Sequence, residues 1–355
     1  MKSANMLMKR FHLALILTAL GCELDPPRHA LPVLDLNGME QQIVDKIDSL
    51  QNAVRNSPDS ADAWGKLGMN LYIHDLKVPS IVCFEYAANL DTSEFHWPYL
   101  AAYTRSVLHA SGALEWYARS QRVNPHYMPL HIRFGNALLQ AGRIAEAEAA
   151  FKKAQSKNPR IVHAYFGLAR IAFTRNNFKT SLHYLRQALS LNPQYGEAYG
   201  LLATIYRRMK LFDKSNEAMR VARSLPADTK LSEPIITEVI QEGVSSYWYN
   251  YRAREYAARA RFHAAIKEYK KSLQYKPSAR TYRELGHVYR KLNNSETAIM
   301  NYRKSLALKP DDMNTLQALT VVYRQTGEDE LSDQIKEKIH MMNRNRPERD
   351  ENERI

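Results

Sequence analysis

The chain has 355 residues, which points to two or three domains or one extended repeat array and excludes a single small domain. Apolar residues make up 45%, charged residues 25% and aromatics 10%, a balance too hydrophobic for a disordered chain. Fifty Lys and Arg against 37 Asp and Glu give +13, favouring an acidic partner surface, and the two cysteines, Cys22 and Cys83, exclude a disulfide framework or four-cysteine metal site.

Lys9 and Arg10 precede an apolar run from Phe11 to Leu20, which is too short to span the roughly 30 Å hydrocarbon layer and reads as a signal peptide. Met8-Lys9-Arg10 also reads as a natural start. The run ends Ala19-Leu20-Gly21-Cys22, which resembles the lipobox of bacterial lipoproteins, with Ala19 where Leu is usual. The resemblance implies a signal peptide over 1–21, lipidation of Cys22, a membrane anchor and, from Glu23 rather than Asp, placement in the outer membrane facing the periplasm. The other reading is an ordinary cleaved signal with Cys22 as a bystander. Three prolines between Glu23 and Pro32 keep residues 22–37 extended as a tether. Met39, Ile43, Ile47, Leu50 and Val54 then mark one buried face of a helix, assigned to 38–60 and packed on the first repeat.

A period near 34 dominates the rest. Closing prolines recur at Pro125, Pro159, Pro193, Pro277 and Pro310. Before each stand a small residue twelve places back (Ala113, Ala147, Ser181, Ala265, Ala298) and a large one eight back (Tyr117, Phe151, Leu185, Tyr269, Tyr302). A second small residue lies five back, as at Ala154 and Ser305, so that two helices can approach closely around one large wedge. The first helices repeat as Trp64-x2-Leu67-Gly68, His131-x2-Phe134-Gly135, Tyr165-x2-Leu168-Ala169 and Tyr282-x2-Leu285-Gly286.

This pattern resembles the tetratricopeptide repeat, in units beginning near 61, 94, 128, 162, 196, 246, 279 and 313. The resemblance implies an all-α fold, a right-handed superhelical solenoid of helix-turn-helix repeats. Five repeats fill 61–226 and three fill 246–340, the last a cap with Lys336 at the large position, followed by a disordered tail over 341–355. Between the blocks lies an insertion, 227–245, where Ser232 and Pro234 can start a helix and Gly243 stop it. It is either a spacer inside one continuous superhelix or a bend separating two binding surfaces.

No phosphate-binding glycine loop, HExxH or CxxCH occurs, so no catalytic residue, cofactor or metal is expected, and His131 reads as packing. Phe95 to Leu100 is similar to a stretch in some haem-bearing repeat proteins, but the attachment motif is missing. In the repeat family the first helices line the concave face, and the positions facing it here hold ten basic residues and two acidic ones, Asp62 and Glu197. Eight of the ten lie in the last four units: Arg207, Arg208, Arg254, Arg280, Arg283, Arg290, Lys291 and Arg324. The early units present Met69, Tyr72, Ile73, Phe95, Ile132, Leu139, Phe166 and Phe173 instead, and residues 246–312 alone carry +9. Surface cations that merely solubilise a long helical array would give part of this pattern. The functional reading is a groove apolar at one end and basic at the other, suited to a protein or peptide with an acidic segment. Partner-binding candidates are the eight cations with Phe166 and Phe173. The cation clamp of chaperone-binding relatives is not reproduced, because Glu284 stands where a cation is needed.

The expected function is that of a non-enzymatic scaffold or adaptor, lipid-anchored in the bacterial envelope. The alternative is a soluble cytosolic or nucleic-acid-associated scaffold with an inert signal; nucleic acid is the less expected partner.

Overall fold

The computed structural model describes residues 30–226 and 229–344. Cys22 and the residues after Arg344 lie outside this range. The described residues form eighteen helices and no strands. A leading helix, α1 (Gln41–Asn56), buries Ile43, Ile47, Leu50 and Val54 and packs on α2. Helix pairs then follow: α2 (Ala61–Ile73) with α3 (Lys77–Leu90), α4 (His96–Val107) with α5 (Ala113–Val123), α6 (Met128–Gln140) with α7 (Ile144–Lys157). Next come α8 (Val162–Thr174) with α9 (Phe178–Leu191) and α10 (Gly196–Arg208) with α11 (Phe212–Ser224). A short helix, α12 (Pro234–Gln241), precedes the second block. There α13 (Ser246–Ala258) pairs with α14 (Phe262–Tyr275), α15 (Ala279–Lys291) with α16 (Ser295–Leu308), and α17 (Met313–Gln325) with α18 (Asp329–Arg344). The last helix runs through Arg344, so residues 341–344 of the expected tail are helical, and the rest of that tail lies outside the described residues.

Three local devices make each pair. The large residue of the second helix wedges against glycine on the first helices: a Cβ added at Gly135 would meet Phe151 at 2.9 Å, and one at Gly167, in the next pair, would meet the same ring at 2.5 Å. Buried serines of the second helix donate to first-helix carbonyls, as Ser181 Oγ to Ala169 and Ser215 Oγ to Ala203, both at 2.8 Å, and Ser305 Oγ to Ala279 at 2.8 Å. The fourth residue of several first helices holds the carbonyl of the preceding closing proline: Trp64 Nε1 donates to Pro58 at 2.8 Å, His131 Nε2 lies 2.9 Å from Pro125 O, and Tyr165 Oη donates to Pro159 at 2.9 Å. A packed aromatic with a polar tip suits this place because its polar atom is paired when buried.

Pairs stack in order from α2 to α11, but among the described residues α13 does not stack on α11 as the other pairs do. The array is therefore interrupted. The insertion turns back instead, and Ile235 and Val239 join the hydrophobic core of α1 and the first four pairs, with Leu231, Ile236, Ile240, Val244 and Trp248 packed against it. This differs from both sequence expectations, a spacer and a bend: an apolar helix beside an apolar concave face removes both from water.

Candidate functional site

Every named contact of the insertion with α2, α4, α6 and α8 is made to a first helix or to the turn that ends it. Asn70 Nδ2 donates to Glu242 O at 2.9 Å, and His74 Nε2 accepts from the Val244 amide at 3.3 Å. Trp248 Nε1 donates to Ile73 O at 3.1 Å, and His163 Nε2 donates to Thr229 O at 2.7 Å. The insertion thus spans the concave face from α8 back to α2. Its anchor is Glu233, which is 5% exposed. Tyr99 Oη donates to its carboxylate, and Arg133 holds it through Nε at 3.1 Å and through Nη2. Burial works against the Arg133 charge, yet the hydrogen bond and charge of Glu233 outweigh it and raise the guanidinium above its ordinary range. Burial, then the Glu233 charge, push the Tyr99 hydroxyl well up, so it remains a donor.

The far end of the insertion is clasped by the second block. Arg252, 5% exposed, pairs with Glu268 at 2.8 Å and donates to Ile240 O at 3.0 Å and Gly243 O at 2.7 Å. A guanidinium on the carbonyls of Ile240, in the last turn of α12, and of Gly243, just beyond it, satisfies groups that a helix end leaves unpaired. Between the insertion, α6, α8 and α13 remains a cavity of about 960 Å³, lined by Asn136, Phe166, Arg170, Glu255 and Arg259 among others.

The ten partner-binding candidates separate into groups. Arg254 on α13, Arg280 and Lys291 on α15, and Arg324 on α17 are exposed and have no ion-pair partner among the described residues. Arg207 and Arg208 are exposed at the end of α10, across the interruption from the other six. Arg283 is not available as a free cation: its Nη1 lies 2.6 Å from Asp312 Oδ2, both side chains being largely buried, and Thr315 donates to the same carboxylate at 2.5 Å. Burial opposes the Asp312 charge, but Thr315 and Arg283 hold its carboxyl below the usual range. Arg290 is half-buried beside Tyr302, whose hydroxyl burial pushes up to about 12. Phe166 is half-buried on the cavity wall, its ring 4.9 Å from that of Tyr195. Phe173 packs on Phe178 at 6.0 Å. Trp248 donates to the Ile73 carbonyl, and Tyr249 stacks 5.6 Å from Tyr275.

Sequence reasoning passed over Asn70, Tyr99, Arg133 and Glu233. Tyr99 and Arg133 stand one place beyond the family's groove positions, and Glu233 pairs across 100 residues or more, beyond the reach of any repeat period. The available signal was the insertion itself, whose Ile235, Ile236, Val239 and Ile240 give it an apolar face of its own.

Helix hairpins wedged by a large residue and stacked pair on pair within each block define an α-helical repeat fold. Tetratricopeptide-repeat family models match residues 132–181, 169–229 and 279–312, so these stretches are tetratricopeptide repeats. Anaphase-promoting complex subunit 7 of Arabidopsis thaliana is 32% identical over 97 residues, which are 27% of this chain, and the chain spans 17% of that relative's length. Among solved structures, a tetratricopeptide repeat protein from Parabacteroides merdae is 18% identical with a TM-score of 0.45, over 79% of this chain and 93% of the other. Pseudomonas aeruginosa pilF is 12% identical with a TM-score of 0.42, over 72% of this chain and 95% of the other. The repeats support a role in protein–protein interaction.

Proposed function

We propose that the chain is a non-enzymatic adaptor, lipid-anchored through Cys22 in the bacterial envelope, that holds the acidic segment of a protein partner on the first helices of its second block. The observation that carries this reading is the set of exposed cations Arg254, Arg280, Lys291 and Arg324 on three successive first helices, beside an Arg283 already neutralised by Asp312. Arg pairs with carboxylates bidentately, and such contacts weaken as salt rises. The lipobox-like Ala19-Leu20-Gly21-Cys22 supports the anchor.

The test is binding of a fluorescein-labelled peptide with six consecutive glutamates to the full chain, with Arg254→Glu/Arg280→Glu compared against Lys267→Glu/Lys270→Glu on α14. The first pair of changes is expected to weaken binding about ten-fold or more at physiological salt, and the second to leave it nearly unchanged. Equal loss from both would mean that net charge alone attracts the peptide, against the proposed site. Labelled fatty acid should enter the wild type and not Cys22→Ala. Equal labelling, or unprocessed wild type in the cytosol, would overturn the anchor.

A further inference from the structure

The groove of the first four repeats is shaped around a polypeptide, and the polypeptide it holds is part of the same chain. Three features set the insertion apart from an ordinary piece of core. First, Asn70, His74 and His163 bind main-chain groups of the insertion, contacts that any segment in the same path would make. Second, the side chains held most deeply are Glu233, bound by Arg133 and Tyr99, and Ile235 and Val239, 1% and 0% exposed against the apolar wall. Third, the fit is incomplete. Among the described residues Asn70 Oδ1 and His163 Nδ1 are buried without a hydrogen-bond partner, and the 960 Å³ cavity runs alongside the insertion. Buried polar atoms are nearly always paired, and both of these are acceptors on first-helix residues that already hold the insertion's main chain, so the amides of a segment on the same path can satisfy them. Moreover, α12 has eight residues, too few to stand as a helix without a surface to lie on.

We infer that the concave face of repeats 1–4 is a second peptide site, separate from the basic face of repeats 6–8, and that residues 229–245 occupy it in place of a partner. The partner it fits is a segment with a carboxylate followed, two and six places on, by branched aliphatic side chains on a short helix. The carboxylate sets the register on Arg133 and Tyr99, the aliphatic residues fill the places of Ile235 and Val239, and the partner's backbone pairs with Asn70 and His163. While the insertion is seated, the apparent affinity for such a segment is reduced by the fraction of molecules in which the groove is open.

The probe is a fluorescein-labelled synthetic peptide with the sequence of residues 229–245, titrated by anisotropy against the full chain, with helix content followed by far-ultraviolet circular dichroism. The variant Glu233→Gln/Ile235→Ala/Val239→Ala should bind the peptide about ten-fold or more tightly than the wild type, because its own insertion competes less. Adding Arg133→Gln should remove most of that gain, and Arg254→Glu/Arg280→Glu should not. No binding by a triple variant of unchanged helix content would overturn the inference. So would a loss on Arg254→Glu/Arg280→Glu in place of Arg133→Gln, which would assign the peptide to the basic face. Hydrogen exchange on the wild type decides the matter independently of how the variants fold. Amides of Ile235 to Gln241 should exchange through local opening, well ahead of those of Leu100 to Thr104. Exchange of both sets at one slow rate would make the insertion permanent core and defeat the proposal.

Discussion

The two blocks are built from the same repeat and differ in what covers their concave faces. In the first, Met69, Ile73 and Ile132 are buried and α12 lies along the groove; in the second, Arg254, Arg280 and Arg324 face water. The chemistry of each face fits its surroundings. A contiguous apolar groove left open is a liability to association, whereas an arginine-lined one is soluble until it meets carboxylates. An apolar concave face read in a repeat sequence is therefore a reason to look for a cover within the chain before assigning a partner to it.

The largest effect that would sharpen this contrast comes from the cover itself. Ile235→Ala should destabilise the first block by about 2–5 kcal/mol, the usual range for deleting a fully buried aliphatic side chain, and Arg254→Ala should stay within about 0.5 kcal/mol of wild type. Urea unfolding followed by circular dichroism would check both, and a cost for Ile235→Ala no greater than for Arg254→Ala would break the contrast. Next comes the rule the blocks share. Added at Gly286, a Cβ would meet Tyr302 at 2.6 Å, much as Gly167 meets Phe151 at 2.5 Å. Gly167→Leu and Gly286→Leu should each cost on the order of 1–3 kcal/mol and broaden unfolding, since repeats touch only their neighbours. A sharp, unshifted transition in either would show that the wedge does not govern that block.

Acid should act more on the first block. Burial holds the pKa of His74 down to about 4 from its ordinary 6.5, so the folded chain keeps this ring neutral while the unfolded chain does not. The stability tied to the neutral ring is complete above about pH 6.5 and lost as pH falls from there toward 4. His131 and His163 in the first block and His287 in the second are also lowered, chiefly by burial. His74→Gln retains an acceptor for the Val244 amide and should flatten part of the fall in melting temperature between pH 6.5 and 4. An identical pH profile would remove His74 from the seating of the insertion. The smallest effect treats both blocks alike: Lys210 and Ala260 sit at positive φ, 61° and 55°, in the turns of their pairs. Lys210→Gly and Ala260→Gly should each stabilise by about 0.5–1 kcal/mol in thermal melts. A loss from either would show that its side chain matters more than its backbone.

The repeat was legible because its determinants are local. The spacing of Gly135, Phe151 and Pro159 lies inside one unit, and helix pairs starting at Ala61, His96, Met128, Val162, Gly196, Ser246, Ala279 and Met313 follow the starts read near 61, 94, 128, 162, 196, 246, 279 and 313. The path of the insertion was not legible. Its placement depends on Glu233 meeting Arg133 and Tyr99, on Asn70 meeting Glu242, and on Trp248 meeting Ile73, pairings separated by 100 to 175 residues that leave no periodic trace. For the same reason Arg283 looked like a free groove cation, although Asp312, at the head of the next unit's first helix, neutralises it.

Whether the insertion lies in the first groove is tested most directly by a double-mutant cycle on Arg133→Gln and Glu233→Gln, scored by urea unfolding of the full chain. Groups in contact couple by about 0.5–3 kcal/mol, whereas distant ones add within about 0.3–0.5 kcal/mol. Seating of Glu233 on Arg133 requires a coupling of about 1 kcal/mol or more across those 100 residues. Strict additivity, with each single change costing little, would mean that the insertion does not lie along the concave face and that the groove of the first four repeats is open.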